Sequence, residues 1–136
     1  MINDYYAWAQ QQAQFLQHKQ FDMLDINNLA EEIADLGRSE KRALESYIEV
    51  LLLHLLKWIY QPAKRCNSWK SSISGTQSRI KRLLKQNPSM KNLMDELIVE
   101  CYEFAKDGAS SETGLSIEMF PEIPPFDAEN IFEPVA

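Results

Sequence analysis

The chain has 136 residues, 45% of them hydrophobic and 25% charged, with a formal net charge of −6. That balance excludes disordered, collagen-like and disulfide-scaffold chains, and the length suits a single domain able to bury its own core. The net figure hides segregation: residues 1 to 63 hold five Lys/Arg against nine Asp/Glu, residues 64 to 94 eight against none, and residues 95 to 136 one against eleven.

Asn3 or Asp4 can cap a first helix whose inward positions, Tyr5, Trp8, Gln12, Phe15 and Leu16, nearly follow helical spacing. Phe21, Met23 and Leu24 then suggest an anchored turn, and Asp25 is a good N-cap for a second helix. At about 100° per residue, Ile26, Leu29, Ile33, Leu36, Leu44, Tyr47, Ile48, Leu51, Leu55 and Trp58 share one arc, which predicts a core-facing helix from Asp25 to Tyr60. The phase survives Gly37, so one long helix is expected, with a bend or break there as the alternative. Pro62 ends it.

Asn67 or Ser68 can cap a third helix with a narrow stripe of Trp69, Ile73, Thr76, Ile80, Leu83 and Leu84. Asn87-Pro88-Ser89 is a stop and a start, and Met90, Leu93, Met94, Leu97, Ile98, Cys101 and Ala105 predict a fourth helix ending near Gly108. From Gly114 the chain mixes apolar anchors with four prolines, which predicts an extended acidic tail packed on the bundle. The expected fold class is all-α: about four helices around one long central helix, plus that tail.

Several blocks, LAEEIADLGRSEKRALES, LLLHLLKWIYQP, SWKSSI and the late ETGL with FPEIPP, resemble in order and spacing the bacterial family of domain of unknown function 29, common in cyanobacteria. The resemblance runs from about Asp4 to Phe126 and implies a small helical cytoplasmic protein. It implies no activity and supplies no catalytic residues.

Two ionisable residues interrupt the long stripe. Glu40 projects among Leu36, Leu44 and Tyr47, where a carboxylate needs a cationic or hydrogen-bonding partner. It reads as a structural ion pair to a neighbouring helix, or alternatively as a general base or metal ligand. His54 lies at the arc's edge near Tyr47, Val50 and Trp58. It reads as a helix histidine bonded to a neighbouring helix, or alternatively as the polar group of a ligand pocket with Tyr47 and Trp58. No Glu-x-x-His motif supports a di-iron bundle, and phosphate loops and nucleophile elbows are absent from the sequence. No metal and no cofactor are expected.

Lys64, Arg65, Lys70, Arg79, Lys81, Arg82, Lys85 and Lys91 make up the basic segment. Those on the third helix project away from Ile80, which predicts an exposed basic face. Such a face can meet another protein, or the chain's own eleven C-terminal acids. The acidic pI of about 4.9 and the lack of helix-turn-helix or RNA-binding signatures weigh against nucleic acid.

Cys66 and Cys101 stand far apart, without C-x-x-C or Cys/His spacing, which points to reduced thiols in a cytoplasm and to no zinc site. Cys66, beside Arg65, could carry some reactivity, although an incidental thiol is the plainer reading. The N-terminus lacks the bases of a signal peptide. Val50 to Leu56, the greasiest run, is far short of the roughly 20 residues needed to span a bilayer, so no membrane partner is expected. The leading expectation is a non-enzymatic interaction or regulatory protein; a homo-oligomer is compatible with its amphipathic helices.

Overall fold

In a computed structural model that describes residues 2–135, four helices dominate: α1 (Tyr5–Gln17), α2 (Ile26–Tyr60), α3 (Asn67–Gln86) and α4 (Met94–Thr113). α2 is continuous through Gly37. The chain divides into two units, Met1–Ser39 and Glu40–Ala136, and α2 runs through both.

In the first unit, Asp4 caps α1 by accepting from the Ala7 amide at 3.1 Å. A polar node then ties α1 to the start of α2. The carboxylate of Asp25 accepts from the Trp8 indole at 3.0 Å and from Asn28 at 2.8 Å, while its amide donates to the buried Gln12 at 2.8 Å.

The expectation that the whole α2 stripe faces a core fails in this unit. Ile26, Ile33 and Leu36 are 61%, 66% and 68% exposed. Phe21 and Met23, expected as anchors, are also exposed, on a single 3-10 turn. The physical reason is supply: among the described residues α1 is the unit's one other α-helix, it is weakly hydrophobic, and on the start of α2 and the link before it shelter extends no further than half-burial of Leu24, Asp25, Asn28, Leu29 and Glu32. Periodicity shows which side of a helix is apolar; it does not provide a partner for that side.

In the second unit the same stripe is core: Leu44, Ile48 and Leu51 are fully buried, Leu55 and Trp58 are buried and Tyr47 is partly so. Leu52 and Leu56, outside the stripe, widen that face, and all pack in one core with Ile73 and Ile80 of α3 and Leu97, Ile98 and Ala105 of α4. Each large aliphatic side chain removed from water contributes about 1.5–3 kcal/mol. This is where the fold draws its stability.

α3 starts at Asn67, and no side chain caps it. α4 does not stop at Gly108. It continues to Thr113, and Gly114 ends it in the left-handed region (φ 75°), its amide donating to the Ser110 carbonyl at 2.9 Å. Gly108 instead makes room for a neighbour: a Cβ there would lie 2.6 Å from Leu53 Cδ1. Beyond Gly114 the chain forms short 3-10 turns at Ile117–Met119 and Asn130–Phe132 and buries Phe120 and Ile131. Gln77 clasps this segment by donating to the carbonyls of Ile131 (2.9 Å) and Glu133 (3.0 Å), and the Tyr102 hydroxyl donates to the Pro121 carbonyl at 2.6 Å.

Candidate functional site

The two interruptions of the stripe do not come together. Glu40 is exposed, and its carboxylate accepts from the Asn87 side chain at 3.1 Å. The expected cationic partner is therefore an amide. Solvent at that point of α2 removes the need for a counter-charge. His54 Nδ1 lies 2.8 Å from the Val50 carbonyl, one turn back in its own helix. A carbonyl can only accept, so Nδ1 carries the proton and the ring is held by α2 itself rather than by a neighbouring helix. About 20 Å of helix separates Glu40 from His54.

The other two members of the expected pocket also point to different neighbours. Trp58 is buried, with the Arg65 guanidinium 4.9 Å from its ring centroid and its carbonyl accepting from Arg65 Nε at 2.8 Å. Tyr47 lines a recess of about 190 Å³ with Arg79, Arg82, Leu83 and Gln86. Among the described residues, no group of three or more His, Cys, Asp or Glu side chains could hold a metal ion.

The basic segment has a clearer geometry. All eight of its bases are exposed. Lys64 and Arg65 lie at the end of the 3-10 turn Pro62–Lys64, Lys70, Arg79, Lys81, Arg82 and Lys85 ride on α3, and Lys91 sits in the 3-10 turn Pro88–Leu93. α3 contains no acid at all. Lys85 is in its last turn, where the helix dipole favours a cation. The dipole does not explain Lys81 with Lys85, or Arg79 with Arg82, because like charges three or four residues apart cost a few tenths of a kcal/mol each.

Intramolecular ion pairing would relieve that repulsion, and none reaches these bases among the described residues. Among the described residues the ion pairs are Arg38 with Asp35, Lys57 with Glu112 at 3.3 Å, and Lys106 with Glu103 at 3.4 Å. None involves a base from residues 64 to 91. The C-terminal acids that do pair, Glu103 and Glu112, serve sheltered lysines on α4 and α2 instead.

A second recess, about 310 Å³, opens where Lys81, Lys85 and Lys91 surround Leu84 and Phe132. The Lys81 ammonium lies 5.5 Å from the centroid of the Phe132 ring. Sequence reading finds the three lysines and Leu84 but misses Phe132, which only the path of the C-terminal segment delivers. A larger recess of about 490 Å³ near Lys106, Phe120 and Glu122 differs in kind, since its lysine is already paired with Glu103.

The arrangement is thus that of a helical protein presenting a cationic surface with apolar hollows. The chain belongs to the family described as domain of unknown function DUF29, which matches residues 2–135. No curated protein and no solved structure matches the chain. No helix among the described residues is long and apolar enough to cross a membrane.

Proposed function

We propose that this protein is a cytoplasmic, non-enzymatic interaction or regulatory protein that receives an acidic partner protein on the basic face of α3. One observation carries the reading: eight exposed bases lie within 28 consecutive positions, 64 to 91, and none makes an ion pair among the described residues. Uncompensated like charge along a helix destabilises the isolated chain, and an anionic partner removes that cost. Steering by such a patch speeds encounter and selects partners by charge.

In this reading the acidic, proline-rich segment after Gly114 acts by exclusion. It helps give the whole molecule a net charge of −6, which repels long polyanions while leaving α3 open to a local acidic surface. That weighs for a protein partner over nucleic acid.

The test is affinity capture at low salt from the cells that make the protein, using the wild type and a variant with Arg79, Lys81, Arg82 and Lys85 all changed to Glu. A stoichiometric partner held by the wild type and lost by the folded variant is the expected result. Equal recovery with both proteins, or no stoichiometric partner at all, contradicts the proposal.

A further inference from the structure

The geometry points to a specific seat on that face: we infer that the recess bounded by Lys81, Lys85 and Lys91 takes an apolar anchor side chain from an acidic segment of a partner protein, with carboxylates on either side of the anchor. This inference rests on the interaction role proposed for α3 and specifies what the partner offers.

Lys81 and Lys85 are one turn apart on α3, and Lys91 approaches from the 3-10 turn that begins at Pro88. Three ammonium groups therefore border one hollow, and none has an anionic partner among the described residues. The hollow's walls are the edge of Leu84 and the ring of Phe132. An ion alone would leave this apolar surface wet, and an aliphatic chain alone would leave the lysines unanswered. A ligand that is apolar at its centre and anionic at its flanks satisfies both.

Phe132 narrows the chemistry. Its ring is already covered by Lys81 at 5.5 Å, so a nucleobase would have to displace a cation in order to stack there. A Leu-sized anchor can instead enter beside Leu84 with Lys81 left in place. Lysines, unlike arginines, act as point charges without a fork geometry, which suits carboxylates arriving at varied angles. The recess of Tyr47, Arg79 and Arg82 shares no lining residue with this one and offers arginines, so the two hollows can be tested separately.

The experiment is fluorescence anisotropy at low salt with the full chain and two labelled peptides, each a short run of Asp and Glu around one central residue, Leu in one and Ala in the other. Burial of a Leu side chain should make the Leu peptide bind about tenfold tighter. The variant carrying Lys85→Glu and Lys91→Glu should lose that preference. The variant carrying Arg79→Glu and Arg82→Glu, which removes the same charge, should weaken both peptides and keep it; circular dichroism confirms that each variant is folded. Equal binding of the two peptides to the wild type, or a preference that survives Lys85→Glu with Lys91→Glu, overturns the anchor seat while leaving the acidic-partner reading intact. Binding of neither peptide overturns that reading and the seat with it. A single-stranded oligonucleotide of equal charge that binds more tightly than the Leu peptide and displaces it overturns the partner class.

Discussion

Lys57 reaches Glu112 across 3.3 Å, so an acid of α4 is committed to α2, while the bases of α3 are left without ion pairs among the described residues. Lys57 is buried, and its ammonium also lies 4.7 Å from the centroid of the Trp69 ring. A sheltered cation gains more from a carboxylate than a solvated one does. Such pairing lets a chain with eleven C-terminal acids still present a bare basic face.

The two halves of the α2 stripe should respond differently to truncation. Leu51→Ala or Ile48→Ala, at fully buried positions, should lower stability by about 2–5 kcal/mol in urea unfolding. Ile33→Ala and Leu36→Ala should change it by no more than about 0.5 kcal/mol. Comparable losses at Leu36 and Leu51 would show that the first unit has a covering the fold does not supply.

The thiols should separate cleanly. Cys101 is buried, and desolvation, helped by Glu45, Glu49 and Glu100, pushes its thiol up to about 11. Cys66 is exposed. At about pH 8, below the ordinary thiol pKa, iodoacetamide should modify Cys66 alone in the native protein and both thiols after denaturation, as counted by mass spectrometry. Rapid alkylation of Cys101 in the native state is the adverse result.

Asp25 should mark the acid limit of the first unit. Its hydrogen bonds from Asn28, and next from Trp8, hold the carboxyl below its ordinary value of 3.8. A depressed carboxyl contributes stability that is fully present above its unfolded pKa and lost as pH falls through the folded one. The Trp8 indole N–H resonance should therefore shift with a midpoint below 3.8, and Asp25→Asn should abolish that transition. A midpoint at or above the ordinary value would contradict the node.

Gly114 should resist substitution. Ala at φ 75° must adopt a left-handed conformation costing about 1–2 kcal/mol, which a thermal unfolding comparison can read. An unchanged midpoint would mean that α4 is not terminated there.

Much of the fold is legible in residues whose physics is local. Asp4 caps because its side chain is short and polar, α2 spans Gly37 because the apolar phase is unbroken, and Pro62 closely follows its last helical residue. The features that sequence hides depend on neighbours. Gly108 resembles a terminator, yet its role is to admit Leu53, which a one-dimensional pattern does not reveal. Ile33 and Leu36 share a face with Leu44, but burial depends on what lies opposite. Glu40 falls in an apolar arc by projection, and that arc is solvated where Glu40 stands. At the candidate site the basic face is visible from the spacing of Arg79 to Lys85, whereas the lack of ion-pair partners among the described residues and the arrival of Phe132 are not.

The most direct measurement is amide chemical-shift mapping of the full chain titrated with a short polyglutamate peptide at low salt. The predicted result is a set of saturable shifts confined to residues 64 to 91 and their immediate neighbours, reversed by added salt. Shifts scattered over the molecule, or none in that segment, would contradict a free basic face built to receive an acidic partner.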